Sequence, residues 1–364
     1  VTDYYVNQSG TNGAATSLAT GKTTYTAGKA LLGPGDRLLI NDGNYNEAVT
    51  GFPSGISDVS PTIIQAINRR AVRFYGLSAN SYVSEIGNKN YVKFQGLVLD
   101  AAAANFAGIV YGDDPGGGGG AGSSYITIDD CEVKNATKYT GIAYHNSGAT
   151  VKSHHIRVLN SYIHHCGTDY PTIDTFDGHG IYIVAYDSLF EGNTVTNIGN
   201  SNIGGAAIHQ YFGGNGGLNR NIYRKNFIKD CYGAGFVLHD GTTGIRADTN
   251  IVKNCALLDE GAGGFGVSAS GVLLSTNAVY ASNGAAFYIT GSATIQGNIS
   301  WMNGAFLTNL GSVSKSNNLE NDVDPRWVDP ANDDFRLRAD SPARDTGLDF
   351  SAYYQDDFYG NARV

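Results

Sequence analysis

The stretch "IRVLNSYIHHCG" (Ile156 to Gly167) has two relatives downstream, "LFEGNTVTNIG" (Leu189 to Gly199) and "IYRKNFIKDCYG" (Ile222 to Gly233), and their alignment decides the fold. Working outward, "ITIDDCEVKNATKYTG" (Ile126 to Gly141) and "TNIVKNCALLDEG" (Thr249 to Gly261) fit the same frame. A β-branched residue comes first: Val133, Ile163, Val195, Ile228 or Val252. A polar column follows, Lys134, His164, Thr196, Lys229 and Lys253, then a turn column of Asn135, His165, Asn197, Asp230 and Asn254. Last is a small or apolar column, Ala136, Cys166, Ile198, Cys231 and Cys255.

Side chains alternate along a strand, so the β-branched column faces a core and the polar column faces water. Asn and Asp tolerate left-handed backbone and mark the turn, and their amides are expected to stack into an asparagine ladder along the axis. The cysteines then read as small inward hydrophobes in the reduced state. Successive turn positions lie 30, 32, 33 and 24 residues apart, room for three short strands and three turns per coil. Repeats of this length stack into an elongated solenoid, each strand pairing with its counterpart one coil on, about 4.8 Å away.

Composition agrees. Of 364 residues, 49 are Gly and 23 Tyr, with one Met and 16% charged residues, a strand- and turn-rich recipe poor in helix formers. No apolar run approaches the roughly 20 residues that span a bilayer. The net charge of -9 argues against a phosphate-neutralising nucleic-acid surface. A soluble chain, secreted or extracellular and monomeric, is expected.

Both ends carry a resemblance. "YYVNQSGTNGAATSLATGKTTYTAGKALLGPGDRLLINDGNYNE" and the closing "DPRWVDPANDDFRLRADSPARDTG" with "DDFYGNAR" resemble the opening and closing segments of right-handed parallel β-helix proteins of the pectate-lyase-like superfamily. The resemblance implies an all-β fold, a single-stranded right-handed parallel β-helix with three strands per coil. It implies one domain over 1–364, with an opening strand and helical cap in 1–35 (the short helix around Tyr25 to Leu32), coils in 36–311 and an irregular closing segment in 312–364. Lyases, hydrolases, epimerases and tailspike proteins share this scaffold, so the resemblance implies a fold and leaves the activity open.

Strands following each turn column align as "GIAYH" (Gly141 to His145), "GIYIV" (Gly180 to Val184), "AAIH" (Ala206 to His209) and "GFVLH" (Gly235 to His239). In this register His145, Val184, His209 and His239 share one outward column. The histidines read either as turn caps or as part of a saccharide groove, which in the resembled superfamily commonly lies at such a turn. A groove here draws in Tyr182, Tyr186, Tyr211, Asp240, Arg157, Glu191 and Arg224. Asp174 and Asp177, with Asp169 and His179 in the inserted turn "GTDYPTIDTFDGHG", read as turn formers or as calcium ligands, since that ion recruits several carboxylates.

Elimination on a uronic-acid-containing polysaccharide needs a carboxylate neutraliser, a base and an acid. The expected assignment is His209 and His239 as base and acid in either order, Tyr211 as a further donor, and Arg224 and Arg157 as neutralisers. His145, Tyr182, Tyr186, Glu191 and Asp240 would line the groove. A glycoside hydrolase using two carboxylates, a uronate epimerase, and a non-catalytic polysaccharide-binding or tailspike-like β-helix remain open beside it. The lysine column reads as a solvated face that discourages edge aggregation.

Overall fold

The structure, a computed structural model, describes residues 1–79, 81–112, 122–145, 153–169, 178–201, 204–211, 220–239, 244–256, 262–347, 349–350 and 356–361, with 145 and 262 described by backbone alone. Among these residues the chain winds through three parallel sheets. The first has 13 strands, from Asp3–Val6 to Ser312–Ser316; the second has 10, from Gly43–Tyr45 to Ile299–Trp301; the third has nine, from Tyr82–Gly87 to Ala305–Asn309. The first sheet therefore gains a rung within the segment expected to close the fold. No helix in the described residues is long and apolar enough to cross a membrane.

The second sheet follows the sequence columns residue for residue. Lys134 pairs with His164, His164 with Thr196, Thr196 with Lys229 and Lys229 with Lys253. The turn column has left-handed backbone throughout, with φ of 60°, 55°, 56°, 57° and 53° at Asn135, His165, Asn197, Asp230 and Asn254. Cys166 and Cys231 both pair with Ile198, and all four cysteines are buried and unbridged. Cys131 belongs to another column, where its N–H donates to the Ser161 hydroxyl.

The asparagine stack lies in a different turn from the one expected. Asn193, Asn226, Asn250, Asn277, Asn298 and Asn318 stand between the first and second sheets, each side-chain amide donating to the next Oδ1 at 2.9–3.1 Å. Each Oδ1 also accepts the backbone N–H of the preceding asparagine. Buried turn amides need partners, and here one side chain supplies them coil after coil.

The lysine column is not a free face. Lys134 pairs with Glu132, while Lys229 and Lys253 each reach Asp333 at 2.6 Å. The C-terminal segment lies across this sheet: its hairpin, Trp327–Asp329 with Asp334–Leu337, packs Trp327 and Phe335 against Ile251, Phe227 and Tyr280. At the other end, the helix Tyr25–Lys29, shorter than expected, buries Tyr25 against the first coil. Glu47 caps it by accepting the N–H groups of Tyr25 and Thr26.

The third sheet corrects the sequence alignment. Ile208 pairs with Ile181 and Phe236, so its inward column continues into the ring stack Phe236–Phe265–Phe287, with centroids 4.7 and 5.6 Å apart. The second inward position of that strand is Gln210, fully buried, whose Oε1 accepts from Tyr223 at 2.6 Å and Asn221 at 3.1 Å. His209 therefore pairs with Tyr182 and Val237, not with His239. His239 stands two residues farther along, where its N–H donates to the Gln210 carbonyl. The pairing thus differs from the expected alignment by one inward–outward repeat, with Gln210 in an inward place, and His209 still faces out.

Candidate functional site

Close backbone packing at one corner builds the site. A Cβ on Gly180 would lie 2.6 Å from the Ala207 carbonyl and 2.7 Å from Val195, so only glycine lets successive coils meet there. Immediately before it, His179 is 3% exposed and pinned across three coils. Its N–H donates to Thr140 Oγ1, its Nδ1 accepts the Ala206 N–H at 3.1 Å, and its Nε2 lies 2.8 Å from His209 Nδ1.

Around this pair the outward rings converge. His179 and His209 centroids are 4.5 Å apart, and His209 lies 5.3 Å from Tyr182, 5.9 Å from His239 and 6.4 Å from Tyr211. Tyr211 and His239 are exposed, whereas the His209 Nε2 atom is buried with no hydrogen-bond partner among the described residues. Burial first, and the nearby His239 second, lower the His209 pKa to about 4. The shift in register thus leaves His209, His239, Tyr211 and Tyr182 together, joined on a diagonal.

The expected cations are elsewhere. Arg157 is held by Asp58 in a two-pronged contact at 2.6 and 2.8 Å, and Arg224 by Glu191 at 2.9 Å, both arginines on the first sheet. Each guanidinium is already neutralised, so neither is a ready partner for a uronate. Tyr186 also sits on the first sheet, 5.2 Å from His154. That face carries rings that the sequence reading missed. Tyr91 stacks on Tyr125 at 4.9 Å and Tyr125 on His155 at 4.4 Å, all three at left-handed positions.

His145 lies in the third sheet, with its side chain outside the described residues, as are Asp174, Asp177 and Asp240 altogether. Among the described residues no group of three or more His, Cys, Asp or Glu side chains is arranged to hold a metal. A hollow bordered by Arg69, Arg70, Asn160 and Tyr162 opens at the turn between the first and second sheets, but Asp130 engages both arginines.

No protein-family model matches the sequence, and no curated protein matches it. Solved structures do. The pectate lyase Pel9A aligns over 100% of this chain and 97% of its own with a TM-score of 0.67 at 16% identity. This chain has the parallel β-helix fold. An alginate lyase from Paenibacillus sp. str. FPU-7 aligns over 87% of this β-helix and 99% of its own chain (TM-score 0.56, 14% identity). XylC, in complex with xylose, aligns over 86% and 70% (TM-score 0.52, 11% identity). At these identities the likeness carries the fold.

Proposed function

We propose that this β-helix is a secreted, monomeric carbohydrate-active enzyme that binds an acidic polysaccharide across the outer face of its third sheet and cleaves it by β-elimination. The observation that carries the reading is the cluster of His209, Tyr211 and His239 on the outer face, backed by the buried His179. Two surface groups able to exchange protons, an imidazole and a phenol with centroids 6.2 Å apart, stand beside a half-buried imidazole whose Nε2 is buried. Elimination removes the proton at C5 and delivers one to the oxygen leaving C4, two transfers that an imidazole and a phenol can serve, whereas hydrolysis uses a pair of carboxylates that the described part of this cluster does not contain. Two β-helices of similar architecture are, by name, a pectate lyase and an alginate lyase, both classes acting on polyuronates. Tyr182 would support the sugar ring.

The test is to incubate the purified protein with pectate, alginate and other polyuronates and follow ultraviolet absorbance from the unsaturated uronate that elimination leaves. A rise on one polymer is expected. New reducing ends without absorbance would replace the reading with glycoside hydrolysis; changed uronate stereochemistry without chain shortening would replace it with epimerisation. Binding without any product would make the molecule a polysaccharide-binding β-helix. Repeating the assay with calcium and with a chelator reports whether a cation takes part.

A further inference from the structure

We propose that His179 locks His209 into one tautomer, its hydrogen on Nε2, so that His209 serves as a neutral hydrogen-bond donor to an anionic oxygen of the saccharide and takes no part in proton transfer. One hydrogen bond in the cluster has a direction that chemistry fixes. A backbone amide can only donate, so His179 Nδ1, which accepts the Ala206 N–H, carries no hydrogen. A neutral imidazole has one N–H, and that of His179 must therefore be on Nε2. Nε2 faces His209 Nδ1 at 2.8 Å and donates to it. His209 Nδ1 is then an acceptor, and the one remaining hydrogen of that ring stands on Nε2.

This excludes the roles first expected of His209. To act as a base its Nε2 would need a lone pair, which would move a hydrogen to Nδ1 and force the His179 ring to become an anion. To act as an acid it would itself become an imidazolate. Adding a proton at Nδ1 would set two N–H groups against each other across 2.8 Å. What remains is donation. The His209 Nε2 is buried and unpartnered among the described residues, a costly state for an N–H unless an acceptor arrives. Tyr211 and His239, exposed and 6.4 and 5.9 Å away by ring centroid, are the neighbouring groups beside which that acceptor would be held.

Resting on the proposed elimination, the acceptor is the uronate carboxylate, whose charge grows as the proton at C5 departs. A preorganised neutral donor stabilises that growing charge without competing for the proton. His239 takes the C5 proton; the freed electron pair forms the C4–C5 double bond; the C4–O bond breaks. The leaving oxygen takes the phenol hydrogen of Tyr211, and the proton on His239 then returns to the Tyr211 oxygen. His179 touches none of the reacting atoms and is a positioning residue.

Nitrogen-15 NMR of the imidazoles in the full chain reads the tautomers directly, with or without a substrate. His179 and His209 are both expected to show hydrogen on Nε2 and a bare Nδ1 near neutral pH. Hydrogen on His209 Nδ1, a mixture of tautomers, or a charged ring would overturn the proposal. In His179→Asn the shorter amide can still accept the Ala206 N–H but does not reach His209, so the His209 signals should become those of mixed tautomers; an unchanged pattern would show that His179 does not set it. If turnover is found, His209→Ala should lose about 100- to 1,000-fold, the usual cost of one such donor. His209→Gln, which offers an N–H but cannot accept a proton, should lose clearly less than the lower bound of about 100-fold for removing the donor outright. Equal losses in the two would make His209 a proton-transfer group and end the assignment. Should no polyuronate be turned over, the enzymatic reading fails while the NMR result still decides the tautomer.

Discussion

Replacing His209 by glutamine tests its electrostatics through stability alone. Its pKa lies at about 4 in the folded chain against an ordinary 6.5, because burial and the facing His239 disfavour the charged ring. As pH falls the unfolded chain takes up this proton first, so the folded state loses ground from about pH 6.5 down to about pH 4 and no further below that. Each tenfold change in proton affinity is worth about 1.4 kcal/mol, and the whole depression comes to about 3 kcal/mol. Glutamine does not titrate, so urea unfolding of wild type and His209→Gln, followed by circular dichroism, should converge by up to about 3 kcal/mol in favour of the variant between about pH 7 and pH 4. Glu132, His154 and His165, whose pKa values are also lowered, cancel in the comparison. Stability curves that run parallel across that range would refute a buried, neutral His209.

Other consequences follow from packing. Gly180→Ala drives a methyl into the Ala207 carbonyl and Val195, and should cost about 1–3 kcal/mol in thermal or urea unfolding while disturbing the His179–His209 contact. Asn226→Ala removes the acceptor for the Asn193 backbone and side-chain N–H groups and the donor to the Phe190 carbonyl, all buried; a loss of about 2–4 kcal/mol is expected by the same measurement. Asp333→Ala removes the carboxylate shared by Lys229 and Lys253, leaving Lys253 its bond to the Ala331 carbonyl; since such partly exposed surface pairs are worth about 1 kcal/mol or less each, global stability should change little while limited proteolysis of the C-terminal hairpin accelerates.

How much was legible depended on whether a column had one chemistry or two. The second sheet could be read from sequence because its β-branched, polar, left-handed and apolar columns repeat without interruption from Val133 to Cys255. The third sheet could not, because Gln210 occupies an inward place that pattern alone assigns to a hydrophobe. Its partners, Tyr223 and Asn221, stand 13 and 11 residues on and close only in the coil. The true asparagine stack was present in the sequence as an Asn before each second-sheet strand from Thr194 to Ile299, a regularity masked by the more varied turn column beside it.

His179 was visible only as part of a turn. Its meaning comes from Ala206, whose chemistry there is a backbone N–H and leaves no mark in a sequence. The arginines failed for the opposite reason: Arg157 finds Asp58 99 residues away, so a cation that looked available is committed. On the first sheet, the pairs "NY", "SY" and "HH" at 90–91, 124–125 and 154–155 are the signal for the stacked rings, each second member having left-handed backbone.

The most direct test of the account is a chemical-shift titration of the full chain with a short oligouronate, read at the histidine and tyrosine side chains. Saturable shifts are expected at His209, Tyr211 and His239, with the His209 Nε2 hydrogen moving as it gains an acceptor. Shifts confined to Tyr91, Tyr125, His154 and Tyr186 on the first sheet would place the saccharide on the wrong face for this chemistry and contradict it.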